Sequence, residues 1–216
     1  MLGIDEAGRG SLVGPLVVGA FLCPQGRLES LRELGARDSK LLPRAQREQV
    51  YRRLQAVGQC VSIALEPARI DRYVAHGGLN RLEAEAFARL VRSTGPREVF
   101  VDACDTDPDR FGRLVHRLSR GTAPIRSTHR ADVVVPVVGA ASIVAKVRRD
   151  RAIDRLARSL GPGIGSGYPS DRRTVDFVRN YLEHGAPSPR WLRASWATTG
   201  RLKRELSVVP LERFGP

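Results

Sequence analysis

The feature that most restricts this chain lies at its start. A short apolar run ends on two adjacent carboxylates, Asp5 and Glu6, and is followed by Gly8, Gly10 and Gly14 and then by the apolar run Leu16–Leu22. Glycines at that density break a helix and favour a turn, so the two runs read as the strands of a buried N-terminal hairpin. Two acids side by side at a strand end repel each other and raise one another's pKa. A hard divalent cation, which prefers oxygen ligands, removes that conflict. A solvated pair at a strand terminus is the other reading of the same residues.

Further along, Gln59–Leu65 alternates as a third strand, and Glu98 to Val101 forms a short strand that ends on Asp102. Helical spacing predicts helices over Pro43 to Gln55, Asn80 to Ser93, Arg110 to Leu118, Ala140 to Leu160, Thr174 to His184 and Arg190 to Leu202. Pro43 suits a first helical turn. The run Val133 to Val138 is apolar but carries Pro136, and reads as strand or extended loop; Gly161 to Pro169 reads as a glycine-rich loop. Strands in antiparallel succession, then strand and helix in alternation, give an α/β layered domain with a mixed central β-sheet flanked by helices. The expected organisation is a catalytic domain over residues 1–170 and a small C-terminal helical region over 171–216 packed on it.

Lys and Arg total 36 against 23 Asp and Glu, a net charge of +13. Such a surplus favours polyanionic partners, because each phosphate contact releases condensed counterions. Cys23, Cys60 and Cys104 are odd in number and widely spaced, which argues against a disulfide framework or a zinc cluster and fits a reducing, cytoplasmic setting. Cys104 reads as a small packing residue. No stretch has the length of a membrane-spanning helix, and the apolar segment Leu12 to Cys23 lacks the basic start of a signal peptide.

Two more acids merit weighing. Asp102 follows an apolar strand, where a sheet delivers side chains to an active edge, though an Asp there also starts turns. Asp132 precedes an apolar run and is equally compatible with a loop residue; the nearby His129 is a proton shuttle or an ordinary surface histidine.

The opening Gly3-Ile4-Asp5-Glu6-Ala7-Gly8-Arg9-Gly10 with Val13-Gly14-Pro15-Leu16-Val17 resembles the signature of type 2 ribonucleases H. Asp38-Ser39-Lys40, Asn80-Arg81-Leu82-Glu83-Ala84-Glu85-Ala86, Ala140-Ala141-Ser142-Ile143-Val144-Ala145-Lys146 with Arg149-Asp150-Arg151, and Gly165-Ser166-Gly167-Tyr168-Pro169-Ser170-Asp171 resemble further motifs of that family, in order along the chain. His129 to Asp132 and Gly165 to Asp171 are similar to archaeal members. Ser11 departs from the pattern, where many members carry proline.

The resemblance implies a ribonuclease H-like fold and an endonuclease that cuts the RNA strand of RNA–DNA hybrids and embedded ribonucleotides in duplex DNA. It implies two divalent ions, Mg²⁺ or Mn²⁺, held by Asp5, Glu6, Asp102 and Asp132, with Asp150 the rival for the last position. It places Gly8, Arg9, Gly10 and Tyr168 around the ribose 2′-hydroxyl, the group that separates RNA from DNA. Ser39 and Lys40 would hold a backbone phosphate, with Arg44 and Lys146 as further phosphate contacts. A monomer acting on nucleic acid without a membrane is expected. An actin-like sugar kinase would need a second domain, for which 216 residues leave no room. A non-catalytic duplex-binding module would not require all four acids.

Overall fold

The structure, a computed structural model, describes residues 1–35, 42–121, 123–184 and 188–207. Its strands are β1 (Leu2–Ala7), β2 (Leu16–Leu22), β3 (Gln59–Leu65), β4 (Val99–Asp102) and β5 (Ile125–Thr128). Its helices are α1 (Leu28–Glu33), α2 (Arg44–Val57), α3 (Pro67–Val74), α4 (Leu79–Thr94), α5 (Pro108–Ser119), the single turn α6 (Ala131–Val134), α7 (Pro136–Leu160), α8 (Arg172–Glu183) and α9 (Ala197–Ser207). The sheet runs β3-β2-β1-β4-β5. The first three strands pair antiparallel as a meander, and β4 and β5 add in parallel beyond β1. The expected hairpin and mixed sheet are therefore present.

Each face of the sheet is covered by helices. Leu2, Ile4, Leu16, Val18 and Ala20 pack with Leu82, Phe87 and Leu90 of α4 and with Phe111 and Val115 of α5. On the opposite face, α7 lies across β1 and β2 with Val137, Ala141 and Val144 buried, and Tyr51 and Leu54 of α2 join it. Glycine lets α7 approach so closely. A Cβ at Gly3 would come within 2.0 Å of the Val137 carbonyl oxygen, and one at Gly19 within 2.5 Å of the Ala145 nitrogen.

Two expected elements differ. Val133 to Val138 is no strand: it spans the end of α6 and the start of α7, with Val135 alone extended between them. Pro136 is the first residue of α7, where its missing N–H costs nothing and its fixed φ suits the helix. The helix expected from Arg190 begins only at Ala197. Residues 190–196 instead run past the N-terminal loop, where Leu192 bridges Val13 and the Arg193 amide donates to the Leu12 carbonyl at 3.1 Å. Tertiary hydrogen bonds there override a helical period. Pro43 precedes α2 with extended backbone instead of lying in its first turn. The sequence reading also passed over α1, α3 and β5, which are short.

Candidate active site

Side chains alternate along a strand, so Asp5 and Glu6 leave β1 on opposite faces. Asp5 pairs with Gly19 across the sheet and lies on the α7 side. There its carboxylate meets Ser142 and the charge of Lys146, whose Nζ donates to the Ser142 hydroxyl at 2.7 Å. Its Oδ1 also accepts the Glu6 amide at 2.7 Å. Parallel pairing of β1 with β4 brings Asp102 level with Asp5, and Asp102 Oδ1 accepts the Ala131 amide at 3.1 Å. That bond ties the first turn of α6 to β4 and delivers Asp132, which is buried. One carboxylate oxygen each from Asp5, Asp102 and Asp132 lies within 4.8 Å of the others. Burial and the charge of Glu6 push the Asp5 carboxyl well above its usual range.

Glu6 faces α4. It groups with Glu83 and Cys104, the Cys104 thiol reaching Glu6 Oε2 at 3.4 Å. Burial first, then the charges of Glu83 and Asp102, raise Glu6 to about 7. Glu83 is wholly buried and is likewise raised to about 7 by burial, against the opposing pull of Arg9 and Arg193.

The Gly8–Gly10 turn is braced from several sides. Arg9 donates to the Cys104 carbonyl at 2.5 Å and to Asn80 Oδ1 at 2.6 Å, and sits 3.0 Å from Glu83. Gly8 adopts φ +85° with the Arg149 side chain packed against it, a conformation that favours glycine. The carbonyl of Gly167 accepts the amides of Leu12 and Val13 at 2.7 and 3.1 Å, which brings the Tyr168 loop beside the turn. The Arg149 guanidinium stacks 4.3 Å from the Tyr168 ring centre.

The family model for ribonuclease HII matches residues 2–199. The chain belongs to the ribonuclease HII family. It is 46% identical to the ribonuclease HII of Cenarchaeum symbiosum over 195 residues, covering 90% of this chain and 93% of that one. The crystal structure of ribonuclease H2 from Pyrococcus horikoshii superposes with a TM-score of 0.88 at 36% identity, covering 96% of this chain and 99% of that one. The ribonuclease HII of Archaeoglobus fulgidus, solved as a complex with PCNA, superposes at 0.85 with 31% identity and 99% coverage of both chains. The family and the ribonuclease H-like fold expected from the motifs are thereby established, and with them a metal-dependent endonuclease of the kind that cleaves RNA in RNA–DNA hybrids.

Against that family background, the acids expected to act together divide unequally. Asp5, Asp102 and Asp132 converge, whereas Glu6 stands on the other face of β1, still near enough to Asp102 to feel its charge. Asp150 belongs elsewhere: it receives Arg47 at 2.9 Å on the outer side of α7. Arg44, half-exposed, pairs with Asp154 and lines a cavity of about 400 Å³ with Arg47, Arg149 and Arg173. His129 is exposed and meets the Thr106 carbonyl. Ser39 and Lys40 lie outside the described residues. Sequence reasoning assigned no role to Asn80, Glu83, Arg149 or Arg193, and read Cys104 only as packing. For Glu83 a signal existed: positions 83, 87 and 90 share one helical face, so an acid stood on the apolar side of α4.

Proposed function

We propose that this chain hydrolyses the RNA strand of RNA–DNA hybrids and cuts duplex DNA at embedded ribonucleotides, leaving 5′-phosphate and 3′-hydroxyl ends. Asp5, Glu6, Asp102 and Asp132 are the residues that would hold two divalent ions, Mg²⁺ or Mn²⁺. The observation that carries this reading is the convergence of Asp5, Asp102 and Asp132 beside Glu6, where burial raises the carboxyls of Asp5 and Glu6 instead of stabilising their charge. A hard-cation site fits such a donor set. When bound, the ions supply an acidified water and charge neutralisation at the leaving oxygen.

The protein's own groups orient the ligands. Ser142 and Lys146 hold Asp5, and the Ala131 amide holds Asp102. Gly8, Arg9 and Gly10 would meet the ribose at the junction, with Tyr168, steadied by Arg149, against a neighbouring sugar. Ser39, Lys40, Arg44 and Lys146 would contact backbone phosphates. The helical region from residue 171 would complete the same unit, acting as a cytoplasmic monomer. A PCNA partner is proposed from the likeness to the Archaeoglobus fulgidus complex.

The test is cleavage of a labelled DNA duplex carrying one ribonucleotide, with Mg²⁺, with Mn²⁺ and with chelator. Metal-dependent cutting on the 5′ side of the ribonucleotide is expected. Asp102→Asn should keep duplex binding and reduce cleavage by about a hundredfold or more, the scale of losing one group that acts on the transition state; cleavage at the wild-type rate would remove Asp102 from the mechanism.

A further inference from the structure

Arg193 has the largest fully buried side chain among the described residues. Among the described residues its guanidinium donates to backbone carbonyls: Nη2 to Gly8 at 2.6 Å, Nη1 to Arg9 at 2.7 Å and Nε to Gly14 at 3.2 Å. The Gly8 carbonyl additionally accepts the Ser11 amide at 3.2 Å and the Ser11 hydroxyl at 2.8 Å. Burying a guanidinium is costly, and here it supplies donors to three backbone carbonyls. What an apolar side chain could not do is fix the direction of consecutive peptide planes.

In a trans peptide the C=O and the following N–H point in opposite directions, and none of the described bonds is cis. Holding the Gly8 and Arg9 carbonyls inward therefore turns the Arg9 and Gly10 amides outward. The outer side is open: Gly10 is exposed, and a Cβ there would meet nothing within 4 Å. Successive outward N–H groups make a concave site for an oxygen acceptor.

We infer that Arg193 is a positioning residue for ribonucleotide recognition, presenting the Arg9 and Gly10 amides to the ribose oxygen from beneath the turn. This rests on the proposed function, which puts the Gly8–Gly10 turn at the ribose. The cation comes from residues 190–196, a segment far away in sequence, so selectivity depends on the C-terminal part of the chain.

The experiment titrates full-length protein, with chelator present, against two duplexes of one sequence: all-DNA, and the same with a single ribonucleotide. Wild type should favour the second by about tenfold or more, the scale of two amide hydrogen bonds. Arg193→Lys keeps the charge but loses the planar fork, and should bring the ratio of the two affinities close to one. A folded Arg193→Lys protein with the wild-type ratio overturns the inference. Should the variant fail to fold, amide resonances of the wild type decide. Arg9 and Gly10 should shift with the ribonucleotide duplex and not with the all-DNA duplex; equal shifts overturn the inference. A wild type that neither discriminates nor, given Mg²⁺, cuts the second duplex removes the underlying reading as well.

Discussion

Asp5 and Glu6 are neighbours in sequence but have different surroundings, Ser142 and Lys146 for one and Glu83 and Cys104 for the other. Both carboxyls are raised, chiefly by burial. A group whose folded pKa exceeds its unfolded value contributes stability that is complete below the unfolded pKa and is lost as pH rises through the folded one. For Glu6 that window runs from about 4 in the unfolded chain to about 7 when folded, and Asp5 extends it upward. Metal-free protein should therefore lose this contribution between mildly acid and neutral pH. A cation that binds the ionised carboxylates should restore it. Saturating Mg²⁺, near a hundred times its Kd, should raise Tm by about 5 to 10 °C at pH of about 8, and by much less at pH of about 5. Thermal melts at the two pH values measure this. An equal Mg²⁺ shift at both would remove these acids as the metal site.

Elements matter here through their closeness. Helix α7 supplies Ser142 and Lys146 to Asp5 only because Gly3 and Gly19 let its backbone rest on the sheet. The cross-strand partner of Asp5 is Gly19 itself. In Gly19→Ala the new methyl would press on the Ala145 nitrogen and the Ala141 carbonyl, which are helix backbone and cannot rotate aside. The variant should be less stable by about 2 to 3 kcal/mol, lowering Tm by about 5 to 10 °C. Cleavage should fall even well below the new Tm, because the helix shifts relative to Asp5. Unchanged melting would mean that α7 has slack that these contacts do not reveal. At another element, Asp171 accepts the Ser166 and Arg173 amides, which hold its carboxyl down at about 2 and join the start of α8 to the Tyr168 loop. Asp171→Ala should cost about 1 kcal/mol, the usual scale of a helix cap. Its folded pKa lies below the unfolded one, so the contribution of Asp171 is present above pH of about 4 and is lost as pH falls toward 2. The melting difference between wild type and variant should therefore shrink in acid; a constant difference would deny the carboxylate that role.

For the whole molecule, a net charge of +13 sets the long-range field. Duplex binding should weaken steeply with salt: about five phosphate contacts give a slope near −4.5 in log K against log salt. Anisotropy titrations across a salt series measure it. A slope near zero would mean that the surplus Arg residues serve a purpose other than the nucleic-acid backbone.

Part of this architecture is legible from local period and punctuation alone. A continuous apolar run marked β2, alternation marked β3, helical spacing marked α4 and α7, and the acids at strand ends were visible because a strand places its last residue at the sheet edge. Which acids would meet was not legible. Strand parity sends Asp5 and Glu6 to opposite faces, and the partners they find there, Ser142 and Glu83, are set by which helix covers which face. Nor could local pattern show that residues 190–196 give up a helical period to pair with the N-terminal loop, or that Arg193 ends beneath Gly8 and Arg9. Those hydrogen bonds join residues more than 180 positions apart. Only the folded chain brings such groups together, because their partners exist only after the sheet and its helices have packed.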